Sequence, residues 1–173
     1  MLLLRLLDIL SITLATLVLG VFWGPWVGLT RSIGSVSPDV LLVVVHRLDK
    51  NLGRLMSVLF PVALVSIIPV LVLTISRPIS FFLTLGGFLM FVLSLVVTAA
   101  VEVPIVTQIR RWTVSTMPAD WGQRRDRWVS FHLLRVLPGI AGVVLLVAGA
   151  LWQSYIRSTP WPTSSRPWSR FEN

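Results

Sequence analysis

The chain has 173 residues, 55% of them hydrophobic and 13% charged, and its mean hydropathy is +0.85. That balance excludes an ordinary water-soluble domain, in which about 25% of residues are charged. Cysteine is absent, which excludes disulfides, thiolate metal centres, iron–sulfur clusters and a cysteine nucleophile.

Four stretches carry no charge: Ile9 to Thr30, Leu55 to Ser76, Pro78 to Val101 and Val136 to Ile156. At about 1.5 Å of rise per residue, each can cross a hydrocarbon core of roughly 30 Å as a helix. Helices are the natural solution, because a bilayer offers no water to stray backbone groups. The expected fold class is all-α, an integral membrane four-helix bundle over residues 1–156 with spans near 9–30, 55–76, 78–101 and 136–156, followed by a mobile C-terminal tail, 157–173.

In the first span, Arg5 before an apolar stretch resembles a secretory signal, but Asp8 interrupts it and no small-residue cleavage site precedes Trp23 and Trp26. A retained helix is expected. Gly20, Gly24 and Gly28 recur every four residues near its end, a spacing that either lets a second helix approach closely or arises by chance from a residue common in membrane helices. In the first loop, Ser37, Pro38 and Asp39 read as an N-cap, a proline at the first helical position and a first-turn acid. The helix starting there runs into the second span. Ser76-Arg77-Pro78 leaves room only for a tight hairpin, so the second and third spans pack antiparallel. Pro118, Ala119 and Asp120 open a helix that continues into the fourth span, with a kink expected near Pro138. Helical extensions from spans 2 and 4 thus form a collar on one face. Trp152 and Tyr155 suit an interfacial belt, and the proline- and serine-rich residues after Arg157 have no periodicity.

By parity, segments 31–54 and 102–135 lie on one side of the membrane, with ten basic residues against five on the other. The bias places loops 31–54 and 102–135 in the cytoplasm. The formal charge of +8 sits beside apolar runs rather than in a soluble basic domain, which points to lipid headgroups and not to nucleic acid. Arginine supplies fourteen of the fifteen basic residues, a composition that suits a genome rich in G and C.

Ionisable groups at membrane depth are costly and draw attention first. His46, Glu102, His132 and Arg135 qualify. At about 100° per residue, Trp121, Arg124, Trp128, His132 and Arg135 fall within a sector of roughly 80° on one helix. Turned inward, this stripe lines a site; turned outward, it is snorkelling arginines and belt tryptophans. Glu102 ends the third span one turn after Thr98, and pairing with Arg135 or Arg124 is its plainest role. His46 shares a side with His132 and the two could ligate a metal or haem if the collar helices pack together, but two histidines with no ligand motif are a weak basis for such a site. No Walker, dinucleotide or zinc-protease motif is present.

The segment from Val101 to Arg135, VEVPIVTQIRRWTVSTMPADWGQRRDRWVSFHLLR, resembles the signature of the anthrone-oxygenase-like membrane proteins, many of them known only as a domain of unknown function. Gly24 to Met56 is similar to the first-loop portion of a bacterial branch of that family. The pattern is PxxxQ, then Trp112, PADW, Arg124, RW, FH and LR; Val106 departs from it where members often carry Asn or Asp. The resemblance implies residence in a bacterial cytoplasmic membrane. It also implies oxidation of an anthrone-like or quinone-like molecule by molecular oxygen, with no organic cofactor. In that reading His132, with His46 as second candidate, removes a proton from the substrate. Arg135, Arg124 and Glu102 complete the catalytic set, with the arginines facing the developing oxyanion. Trp121, Trp128 and Trp112 stack on the substrate rings.

The same residues admit a second reading, a non-catalytic membrane component that binds lipid or quinone, forms a homo-oligomer or serves as an accessory subunit. A small transporter is a third reading, without the duplicated plan of many secondary transporters.

Overall fold

The structure, a computed structural model, describes residues 2–30 and 33–158. Six α-helices make up the fold: α1 (Leu2–Pro25), α2 (Pro38–Leu48), α3 (Arg54–Thr74), α4 (Pro78–Val97), α5 (Val103–Ile109) and α6 (Trp121–Ser158). No strand occurs among the described residues. Three wide, π-helical turns interrupt the regular winding. Trp26–Thr30 follows α1, Asp49–Gly53 joins α2 to α3, and Thr98–Glu102 joins α4 to α5.

Four helical rods are long and apolar enough to cross a membrane: Leu2–Gly28, Pro38–Thr74, Pro78–Ile109 and Trp121–Tyr155. Only 22% of the apolar window is buried in each of the first three and 33% in the fourth. The rest faces outward, Val58, Val65, Val72, Phe82 and Val144 among it. Water would not tolerate so much continuous apolar surface, whereas lipid matches it. The protein is a multi-pass membrane protein, an all-α four-helix bundle. Spans 2 and 4 extend beyond the bundle as expected, and span 3 does so as well, through α5.

Around the bundle α1 packs on α3, α3 on α4, α4 on α6, and α6 back on α1. Every neighbouring pair is antiparallel. α1 contributes Ala15, Val18 and Phe22 to the central core, where they meet Phe60, Ile67 and Phe91. The collar has its own small core, in which Leu41, Leu42 and Val45 of α2 pack with Ile109 and Trp128. In the turn between α3 and α4, the Arg77 N–H donates to the Thr74 carbonyl at 2.8 Å and the Arg77 carbonyl accepts from Phe81 at 2.9 Å. Ser37 is extended and precedes Pro38 at the start of α2, but its hydroxyl makes no capping hydrogen bond. At α6 the first bonds run from the Trp121 N–H to the Pro118 carbonyl, 3.1 Å, and from Arg124 to Asp120, 3.3 Å. Pro138 lies inside α6 without ending it, and the helix reaches Ser158. Beyond it, the expected tail lies outside the described residues.

The tight hairpin leads α4 to α3, yet the more extensive packing of α4 is with α6. Small residues explain this. Ser80, Thr84, Gly87 and Ser94 lie buried along α4, and glycines of α6 meet them. A Cβ added at Gly142 would stand 2.7 Å from the Phe91 ring, at Gly87 3.0 Å from the Gly142 carbonyl, and at Gly149 2.9 Å from the Thr84 hydroxyl. The glycines of α1 behave differently, because nothing lies within 4 Å of a Cβ at Gly20, Gly24 or Gly28. They fall opposite the inward face of Ala15, Val18 and Phe22, so no described helix of this chain lies against them.

Gly142→Ala presses a methyl group onto the buried Phe91 ring and is expected to destabilise the protein by about 1–3 kcal/mol, as overpacking does. Gly24→Ala, in open space, is expected to leave stability unchanged or raise it slightly. Thermal unfolding in mild detergent compares the two, and equal melting temperatures would refute the close seam.

Candidate functional site

Two apolar helices bring three ionisable side chains together at the collar end of the bundle. The wide turn Thr98–Glu102 ends on Glu102, and successive turns of α6 present Trp128, His132 and Arg135. All four line one cavity of about 360 Å³, walled by apolar residues of α1, α3 and α4 such as Phe22, Met56, Phe60 and Leu95. Glu102 and His132 are buried, their side chains 3% and 1% exposed.

His132 is held at both ring nitrogens. Its Nε2 lies 2.9 Å from the Phe22 carbonyl oxygen and its Nδ1 lies 2.7 Å from Nη2 of Arg135. A carbonyl only accepts and a guanidinium only donates, so the partners define the tautomer. The proton sits on Nε2 and donates to Phe22, and the Nδ1 lone pair accepts from Arg135. The imidazole is therefore a neutral link between α1 and Arg135.

Arg135 is set by three further contacts. Its guanidinium lies 4.6 Å from the centre of the Phe22 ring, a cation–π geometry. Nη2 stands 3.7 Å from Oε2 of Glu102, an ion pair without a closed hydrogen bond. The Ser94 hydroxyl of α4 donates to the Arg135 backbone carbonyl at 2.9 Å, fixing the turn that carries the side chain. Glu102 is the loosest member. Its Oε1 is 3.8 Å from His132 Nδ1, too long for a hydrogen bond, and has no hydrogen-bond partner among the described residues. Arg135 Nε and the Trp128 indole N–H are likewise buried without a partner among the described residues. Buried groups in this condition are rare in native proteins and call for an explanation.

The backbone around the cavity is irregular. Pro25 and Pro61 have no N–H to give the carbonyls one turn back, those of Val21 and Ser57, and all four residues line the cavity. So do members of the wide turns Asp49–Gly53 and Thr98–Glu102. Wide turns of this kind concentrate at functional sites.

The other residues singled out from sequence lie elsewhere. His46 is exposed and stands apart from the cavity, with Nε2 3.2 Å from the Arg110 carbonyl. With the Asp49–Arg110 ion pair at 3.2 Å, it ties α2 to the end of α5 above the cavity. Arg124 is exposed, bonded to Asp120 at 3.0 Å and to Gln108 at 3.1 Å, and lies 5.9 Å from the Trp112 ring. Trp121 stacks with Arg125 at 5.2 Å. Trp112 and Trp121 pack in the collar core and do not line the cavity. The stripe on α6 thus divides, its first part building the collar and its last three residues facing the cavity. Sequence reasoning missed Phe22 and Ser94. The role of Phe22 rests partly on a backbone carbonyl, which no side-chain pattern reveals; Ser94 had a signal, in its place one turn before Thr98.

Glu102→Gln removes the counter-charge of a buried guanidinium and is expected to destabilise by about 3 kcal/mol. Asp49→Asn breaks an ion pair whose arginine is 56% exposed, for an expected loss below about 1 kcal/mol. Thermal unfolding of both variants checks the order, and a reversed order would mean that the cavity pair is not desolvated. No protein-family model, curated protein or solved structure matches the chain.

Proposed function

We propose that this membrane protein takes a hydrophobic, ring-bearing molecule of the anthrone or quinone class from the bilayer and oxidises it in the cavity beside Glu102. The observation that carries the reading is Oε1 of Glu102, buried, at the wall of a cavity of about 360 Å³ and without a hydrogen-bond partner among the described residues. Such a group is suited to receive a proton or hydroxyl from a guest. The volume lies within the range of small-molecule sites, which are mostly apolar with a few placed polar groups.

Glu102 takes the role of base in this proposal, and His132 becomes a positioning residue, because both of its nitrogens are engaged. The substrate's activated C–H proton passes to Glu102. The carbanion left behind is an enolate, whose oxygen is stabilised by Arg135 and the Trp128 N–H in a site shielded from water. It transfers its electrons to molecular oxygen and forms a C–O bond, and the peroxide anion takes back the proton from Glu102 to become a hydroperoxide. Loss of water breaks the O–O bond and leaves the ketone, so one oxygen atom enters the product and the other leaves as water.

A second reading is non-catalytic binding of the same class of molecule. The closed link from Phe22 through His132 to Arg135 favours it, since a clamp needs no free base.

Oxygen uptake by the purified protein with anthrone as substrate tests the proposal. Glu102→Gln is expected to lower kcat by about 10²- to 10⁴-fold, the usual weight of a general base. Uptake that is undiminished in this variant would remove Glu102 as base. Binding of anthraquinone with no uptake in the unmodified protein would favour the second reading. In ¹⁵N-histidine spectra, His132 is expected to show a protonated Nε2 and an unprotonated Nδ1; the reverse tautomer would overturn its role as the link to Arg135.

A further inference from the structure

The wide turn Asp49–Gly53 and the first half of α3 present two faces. One lines the cavity. The other forms a separate open groove on the outside of the bundle, lined by Lys50, Asn51, Arg54, Leu55, Val58 and Leu59, with Val62 at its far end. From this groove we propose that the protein carries a binding site for an anionic phospholipid, with Lys50 and Arg54 on the phosphate and one acyl chain along the apolar strip. The inference is independent of the chemistry assigned to Glu102.

Charge complementarity singles out this occupant. Lys50 and Arg54 lie about one turn apart, so their side chains share a face. Both are exposed, and neither pairs with an acid among the described residues. The nearest carboxylate in sequence, Asp49, is committed to Arg110 at 3.2 Å. Two uncompensated cations with an amide between them therefore meet the membrane surface at the head of an apolar groove. The rod to which they belong, Pro38–Thr74, is long enough to cross the bilayer, and its charge-free run begins at Leu55. The cations thus stand at the boundary between headgroup and hydrocarbon. From Leu55 to Val62 the groove descends about 10 Å at the α-helical rise, enough for the upper part of an acyl chain. Free phosphate would use the cations alone; only a lipid uses both parts.

Native mass spectrometry of the full chain, taken from nanodiscs of phosphatidylcholine doped with phosphatidylglycerol, provides the test. One phosphatidylglycerol per chain is expected to remain bound in preference to phosphatidylcholine. The double variant Lys50→Gln with Arg54→Gln is expected to weaken its retention about 25-fold, two charges at a factor of about five each. Either single variant should show about a fivefold loss and carries the test if the double variant unfolds. Arg77→Gln, at the opposite end of the bundle, should change nothing. Equal retention of the two lipids, indifference to the Lys50 and Arg54 changes, or displacement by millimolar glycerol phosphate would each overturn the site.

Discussion

A guanidinium and a carboxylate placed among apolar membrane helices can be kept from water only in each other's company, and the collar end of this bundle is arranged around that need. Arg135 sits one residue before the charge-free run of α6, and Glu102 one residue after that of α4. Their encounter requires α4 and α6 to run close together. The Gly87 and Gly142 contact supplies that closeness along the middle of the helices, and the Ser94 hydroxyl bonds to α6 within a turn of the ion pair. Because the pair stands at 3.7 Å without a closed hydrogen bond, it satisfies the charges only partly. The unsatisfied remainder faces the cavity, and the proposed chemistry begins there.

Phe22 links this charge pair to the hydrophobic packing. Its ring lies under Arg135 at 4.6 Å and against Phe60 at 5.6 Å, and Phe60 in turn meets Phe91 at 6.2 Å. Its carbonyl anchors His132. One residue of α1 therefore holds three helices in relation to the polar cluster. The arrangement also explains why a histidine fits here better than a second cation: a neutral ring can accept from Arg135 and donate to α1 at once, which neither lysine nor arginine can do.

Much of the architecture was legible in the sequence, because charge-free runs of this length have few fates in a bilayer. The spans, the hairpin at Arg77 and the helix starts at Pro38 and after Asp120 all follow from local chemistry. The site was legible in part. Trp128, His132 and Arg135 were marked by their common face on one helix, and Glu102 by its place at a span end. Where the stripe divides depends on α5, whose collar packing takes Trp121 and Trp112 away from the cavity, and a helical wheel carries no such information. The glycines of α1 illustrate a related point. Spacing shows that Gly20, Gly24 and Gly28 share a face, but which face turns inward is decided by Ala15, Val18 and Phe22 packing elsewhere.

The wide turn before α5 has a consequence of another kind. A π-helical turn holds one residue more than the regular helix would place there, and Glu102 closes it. Removing one residue between Thr98 and Val101 would let the turn close into regular helix and leave the carboxyl near its present direction, because the wide turn spends five residues on a rotation that four supply in an α-helix; removing one from the regular winding of α4 would instead swing it by about 100° around the rod, away from Arg135. Substitutions that keep the helix would leave its direction alone. The aim of this acid is thus encoded in the number of links in the chain as much as in their identity, and the wide turn is the one place where a link can be spared without disarming the pair.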